Sequence, residues 1–161
     1  MERLDEYDLK ILRILQKDSS MSTKKIASDL NLTASPVYER IRKLEKEGYI
    51  KKYVALLNKK RINKPVTAIC MVSLRYHNEG FIDKFDSQIR KLSEVQECYH
   101  MAGKVDFFLK INVSGLDEYH DFVRTKLSKI ENIGVLESYF VLKDIIDTTE
   151  FYFWNCRGAN C

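Results

Sequence analysis

Two groups of residues in this chain have the types and spacing to do chemistry. The first lies in the stretch Thr33–Ile50, TASPVYERIRKLEKEGYI. At about 100° per residue, a helix here puts Val37, Ile41 and Leu44 on one apolar stripe. Ser35, Glu39, Arg42 and Lys46 then point the other way, flanked by Tyr38 and Lys43. Such a face can hydrogen-bond base edges and neutralise phosphates. Arg42 suits a guanine edge or a phosphate, Lys43 and Lys46 suit phosphates, and Glu39 suits a cytosine amine or a neighbouring arginine. Arg40 sits at the margin of the stripe, where a structural pair with an acid on the first helix fits at least as well as a base contact. The plain alternative for the whole face is a solvated surface. The second group is Gly103-x-x-Asp106, between two β-rich runs. A carboxylate there can hold an ammonium, and free turn N–H groups can hold a carboxylate, so the pair suits an amino acid. The plain alternative is a hairpin turn, where glycine and aspartate are common.

These groups need elements to place them. Leu4–Lys17 reads as a helix capped by Asp5, with Asp8, Ile11, Leu12 and Leu15 on one face. Asp18-Ser19-Ser20 breaks it. Ser22 caps a second short helix with Ile26, Ala27 and Leu30 inward, and Ala27 is small enough for a close helix crossing. Asn31-Leu32-Thr33 turns into the basic helix, which Thr33 or Ser35 caps, Pro36 tolerates and Gly48 ends. Helix, short turn, basic helix is the helix-turn-helix pattern. Tyr49–Leu56 alternates as a wing strand, and residues 57–65 read as a linker.

From Val66 the period changes. Strands are expected over 66–76, 95–102, 106–113 and 135–142. Phe81, Phe85, Ile89 and Leu92 mark one helix, and Leu116, Tyr119, Val123, Leu127 and Ile130 another. The order βαββαβ predicts a ferredoxin-like sheet with two helices on one face, so the chain is of the α+β class. Phe107-Phe108 reads as sheet core, Phe151–Trp154 as a short edge strand, and residues 157–161 as a frayed end. The expected domains are 1–56, a linker 57–65, and 66–161. Nothing in the chain remains to cover the second sheet face, which predicts a second copy.

Composition narrows the function classes. The chain has 161 residues and a net charge of +4, unevenly spread. Residues 1–62 carry 15 Lys/Arg against 9 Asp/Glu, and the remainder 12 against 14. A basic first third on a slightly acidic remainder points to a polyanion-binding module joined to something else. No run approaches the ~20 apolar residues of a membrane span, and MERLDEYDLK lacks the apolar core of a secretion signal. Cys70, Cys98, Cys156 and Cys161 are scattered, and His77, His100 and His120 lie at no zinc-ligand spacing. We therefore expect reduced thiols, no metal and no cofactor, with Cys156 and Cys161 open to oxidation in vitro. The chain lacks G-x-S-x-G, H-E-x-x-H and P-loop motifs, so no catalytic residue is assigned.

In order and spacing, these residues resemble the Lrp/AsnC family, the leucine-responsive or feast/famine transcription regulators. The matching pattern begins Leu4-Asp5-x-x-Asp8-x-x-Ile11-Leu12-x-x-Leu15-Gln16, then Ser22 through Ile26-Ala27. It continues Ser35-Pro36-Val37-x-x-Arg40-Ile41-x-x-Leu44-Glu45-x-x-Gly48-x-Ile50, and later Gly103-x-x-Asp106-Phe107-x-Leu109. The resemblance implies a helix-turn-helix for double-stranded DNA and a second domain for oligomerisation and small-molecule sensing. Family members pair through open sheet faces and often assemble dimers into octameric rings, with an amino-acid effector between dimers. The effector-response positions fall on His100, Asp106, Leu116, Tyr139, Phe140 and Val141, beside Gly103. Lys104 and Val105 depart from the family pattern, the former bringing a cation that favours an acidic ligand or an empty pocket. A cytoplasmic, nucleoid-associated regulator is the expectation. Two alternatives share the architecture: a sirohaem-decarboxylase-like enzyme, and an amino-acid-binding adaptor without DNA binding. The enzyme wants histidine and arginine around a large cavity; the adaptor would not need an intact basic third helix.

Overall fold

A reciprocal cap starts the first helix, α1 (Glu6–Lys17): the Asp8 N–H donates to Asp5 at 2.9 Å, and the Asp5 N–H donates to Asp8 at 3.1 Å. Two backbone donors that the helix leaves orphaned are thereby satisfied. Ser22 caps α2 (Thr23–Asp29) by accepting from the Lys25 N–H. Asn31 takes a left-handed φ of 54°, which asparagine tolerates, and reverses the chain into α3 (Ala34–Lys46). Thr33 occupies the N-cap position of α3, without a side-chain hydrogen bond. Gly48, at φ 78°, ends α3 and lets the Ile50 N–H turn back to the Leu44 carbonyl.

The computed structural model describes residues 4–153, in two units: residues 4–56 with 146–153, and residues 57–145. The first unit closes over Ile11, Ile26, Ala27, Val37 and Leu44, all buried. Burying each large member stabilises by roughly 1.5–3 kcal/mol. Asp8 is also buried, at 6% exposure, and the Arg40 guanidinium lies 2.7 Å from it and 2.6 Å from Asp5. The expected pairing of Arg40 with an acid on the first helix is therefore what forms.

Residues 51–58 carry no strand and are exposed throughout, so the expected wing strand does not form within the chain. Alternation alone is insufficient: a strand needs a ladder partner, and the described part of this unit has none. Residues 151–153 form no strand either. The Phe151 N–H donates to Gln16, and Arg13 donates to the Phe153 carbonyl at 2.7 Å, so side chains of α1 take up this backbone. Trp154, Cys156, Cys161 and the rest of the expected frayed end lie outside the described residues.

The second unit begins with a closed turn over 58–63 and runs β1 (Val66–Leu74), α4 (Glu79–Ile89), β2 (Val95–His100), β3 (Phe107–Val113), α5 (Leu116–Thr125) and β4 (Ile133–Phe140). The sheet order is β2-β3-β1-β4, with every neighbouring pair antiparallel, the ferredoxin-like arrangement. One face of the sheet buries Ala68, Cys70, Val72, Leu109, Ile111 and Val113 against Phe85, Ile89 and Phe122. Phe107 stacks on Phe85 at 4.2 Å. The other face presents Ile69, Met71, Phe108, Val135 and Tyr139, uncovered by any helix among the described residues.

The boundaries differ from expectation where side chains take over backbone groups. β1 stops at Leu74 because the Leu74 N–H donates to Asp106, and the Arg75 and Tyr76 N–H groups donate to Asn132. α5 stops at Thr125, and Leu127 is buried from a following 3₁₀ turn, Leu127–Lys129. β4 lies two residues earlier than its spacing implies; Val141 follows it, with its N–H still on the Thr67 carbonyl. Gly134 lies where β4 meets the irregular end of β1, and a Cβ there would sit 3.1 Å from the Ser73 carbonyl oxygen, closer than an ordinary contact.

Replacing Arg40 with alanine leaves the buried Asp8 carboxylate short of its partner. The expected cost is about 1–3 kcal/mol to the first unit, read as a lowered urea midpoint. An unchanged midpoint would show that this pair does not hold α3 to α1.

Candidate functional site

The first site is built on α3. Val37 and Leu44 are buried and Ile41 half-buried, so one stripe faces α1 and α2. Ser35, Tyr38, Glu39, Arg42, Lys43 and Lys46 are all exposed, and the structure brings the six onto one outward surface. Tyr38 is 51% exposed, so its ring and hydroxyl are open to a partner. Lys43 and Lys46 fall in the last turn, where cations complement the negative end of the helix dipole.

Arg42 is not loose on this face. Its guanidinium lies 3.2 Å from Glu45, which also accepts a hydrogen bond from the Tyr53 hydroxyl at 3.0 Å. Partial burial and the Glu45 carboxylate raise the Tyr53 phenol to about 12, so it stays a donor at neutral pH. Glu45, not Glu39, therefore orients the arginine. Sequence spacing contains this signal, since Arg42 and Glu45 are three apart on a helix. Tyr53 carries none, because it lies in a segment that reads as a strand.

The second site surrounds the turn after β2. Asp106 is mostly buried and already occupied: Oδ2 accepts the Leu74 N–H at 2.7 Å, and His77 Nε2 lies 3.0 Å from Oδ1. No sequence spacing singles out His77, which precedes α4 and reaches this place only through the fold. Gly103 sits in an exposed bend where an added Cβ would meet nothing within 4 Å. His100 ends β2 and stacks on Phe107 at 4.8 Å.

The other effector candidates are elsewhere. Phe140 pairs with Ala68 and Tyr139 with Ile69, while Asp106 bonds to Val72. The Val141 N–H donates to Thr67, five residues from Val72, which separates the two groups by roughly 16 Å at 3.3 Å per residue. Leu116 is exposed at the first residue of α5. Within one chain, then, His100, Gly103 and Asp106 gather at one end of the sheet, and Tyr139, Phe140 and Val141 belong to the other. A cavity of about 490 Å³ between α4 and β2 touches His100 and Phe107 but none of the other candidates. Its rim carries Asp83, Asp86 and Glu97 against Arg90. Among the described residues, no group of His, Cys, Asp and Glu could hold a metal ion, and no helix is long and apolar enough to cross a membrane.

Two family models match the chain. "Winged helix-turn-helix DNA-binding" matches residues 4–51, and "Lrp/AsnC ligand binding domain" matches residues 67–151. The chain belongs to the Lrp/AsnC family of DNA-binding transcription regulators. It is 32% identical to the Bkd operon transcriptional regulator of Pseudomonas aeruginosa over 91% of this chain and 95% of that protein. The crystal structure of an AsnC family transcriptional regulator from Agrobacterium tumefaciens superposes with a TM-score of 0.88 at 34% identity, covering 92% and 97% of the two chains. A transcriptional regulator from Neisseria meningitidis, solved as a complex with L-Met, gives a TM-score of 0.89 at 29% identity, covering 93% and 97%.

Because Asp106 fastens the end of β1, its removal is expected to cost stability before any ligand is considered. Asp106→Ala should lower unfolding free energy by about 1–3 kcal/mol, and Asp106→Asn, which keeps an acceptor, by less. Urea titration of both variants without ligand checks this; equal stability of all three proteins would remove the fastening role.

Proposed function

We propose that this regulator meets double-stranded DNA through Ser35, Tyr38, Glu39, Arg42, Lys43 and Lys46. The observation that carries the reading is the division of α3. Its apolar stripe is buried, Arg40 is consumed by Asp5 and Asp8, and the remaining polar face is outward and cationic. Ser35 and Tyr38 lie near the N-terminal end, the end that usually enters the major groove. Arg42, held by Glu45, is presented for a guanine edge or a phosphate, and Lys43 and Lys46 for phosphates. An adaptor without DNA binding gains nothing from such a face.

A second copy pairs on the open sheet face, where Ile69, Met71 and Phe108 need covering. Two basic helices then address successive major grooves, so sites are roughly palindromic with half-sites about one helical turn apart. The effector is a small molecule of amino-acid type, as in the L-Met complex of the N. meningitidis protein. His100, Gly103 and Asp106 belong to that site, and Leu116, Tyr139, Phe140 and Val141 join it only from another copy. The separation of the two groups in one chain supports a site between chains, as does the open space at Gly103. Assembly of dimers into an octamer would supply it. An effector acts only through unequal affinity for the two assemblies. The enzyme alternative is disfavoured: the acid-rimmed cavity has the wrong sign for an anionic tetrapyrrole, and the three histidines lie on separate elements.

Mobility shifts of Arg42→Ala and Lys46→Ala on selected and mixed-sequence duplex test the DNA face. Removing a base-reading side chain should cost ~1–3 kcal/mol on selected DNA, and removing a phosphate-binding one should flatten the salt dependence on both. Unchanged binding in both variants would remove α3 as the contact surface. For the effector, a thermal-shift screen of the twenty amino acids should find one that, at 100 times its Kd, adds ~2.7 kcal/mol of stability. A flat screen would count against an amino-acid effector.

A further inference from the structure

Residues 57–65 read as a plain connector, but their backbone is closed into a turn. The Arg61 and Ile62 N–H groups both donate to the Asn58 carbonyl, at 2.9 and 3.2 Å. The Lys64 N–H returns to the Lys59 carbonyl at 2.8 Å. The Asn58 side chain accepts from the Lys60 and Arg61 N–H groups, and Asn63 takes the left-handed φ of 56° that the closure requires. The turn is also fastened at both ends. Lys59 lies 2.8 Å from Asp144, and Lys64 lies 2.5 Å from Glu118. Lys64, with the Ser114 N–H, holds the Glu118 carboxyl at about 2, so this pair is fully charged at neutral pH.

The two flanking lysines are thus spent within the unit. At the tip, Lys60 and Arg61 are exposed and have no acidic partner among the described residues. Lys143, exposed, is next in the chain to Asp144, the residue that pairs with Lys59. Elsewhere on this unit, Lys84, Arg90, Lys110, Arg124 and Lys126 each meet a carboxylate. Arg75, Lys91, Lys104 and Lys129 also meet no acid among the described residues, but they stand singly in the sequence, whereas Lys60 and Arg61 are adjacent on one hydrogen-bonded turn, and adjacent unneutralised cations suit a polyanion.

We propose that the tip Lys60–Arg61, with Lys143, is a second contact surface for the phosphates of duplex DNA, separate from α3 and indifferent to sequence. This rests on the reading of α3 as the DNA face. Arg61 can take a phosphate with two parallel hydrogen bonds and Lys60 with a point charge, while the pre-closed turn reduces the ordering cost of binding. Phosphate contacts add affinity and salt dependence but carry no base information.

The test uses the full chain, long mixed-sequence duplex DNA, and a duplex selected by the protein from a random pool. Affinities are measured against salt for wild type, Lys60→Gln/Arg61→Gln, and the charge-keeping swap Lys60→Arg/Arg61→Lys. The Gln pair should flatten the log–log salt slope by about 0.9 for each phosphate that is no longer neutralised, on both duplexes alike. The preference for selected over mixed DNA should stay unchanged, and the swap should keep the wild-type slope. Lys143→Gln, outside the turn, should flatten the slope in the same way, so a folding defect in the Gln pair would not decide the matter. Wild-type binding with the slope unaltered in both charge-removing variants would overturn this surface alone. So would a weakening confined to the selected duplex, or association of the tip with an acidic protein in place of DNA. Absence of any wild-type binding to duplex at low salt would overturn the α3 reading as well.

Discussion

The first unit depends on how α3 is attached. A helix that presents a cationic face outward must be held firmly on its other side, and hydrophobic burial alone is non-directional. Val37 and Leu44 supply the burial. Arg40 supplies direction, because its guanidinium must reach the Asp8 carboxylate in the capping box of α1. Asp8 thereby serves two elements: it caps its own helix, and it fixes the rotation of α3 about its axis. Replacing the cluster by apolar residues could be neutral for stability. It would lose the constraint on which residues of α3 face out.

The second unit follows another rule. Its helices cover one face of a four-stranded sheet, and no helix among the described residues covers the apolar residues of the other face. Asp106 works at the end of this sheet much as Asp8 works in the first unit. A carboxylate closes a backbone end, at the Leu74 N–H, and recruits a basic side chain, here His77. Asp106 thereby holds the turn in shape.

Charge is partitioned along the same lines. Acids pair with several cations of the second unit; Lys46 on α3 and the adjacent Lys60 and Arg61 on the later turn meet no acid among the described residues, as is true of the scattered Arg75, Lys91, Lys104 and Lys129. A protein that releases counterions from DNA needs such groups, and it needs them fixed rather than trailing on loose segments, since ordering a loose chain offsets part of the gain. The hydrogen-bonded closure of residues 58–64 meets that requirement with asparagines at both bends.

The sequence by itself determined the elements whose cause is local. Asp5 and Ser22 as caps, Gly48 as a helix end, the stripe of α3 and the βαββαβ order all follow from neighbours within a few residues. The pairing of Arg40 is legible too, because its place beside the apolar stripe forces it toward another helix. Tertiary structure decided what depends on partners far along the chain. Residues 49–56 alternate as a strand does, yet no ladder partner among the described residues meets them, and Phe151 and Phe153 bond instead to side chains of α1. His77 reaches Asp106, and Tyr53 reaches Glu45, through contacts that no spacing encodes. The effector candidates lie on matching motif positions, but strand register alone shows that they split between two ends of the sheet. Periodicity tells which face a residue takes; only the completed pairing of strands tells which residues share an end.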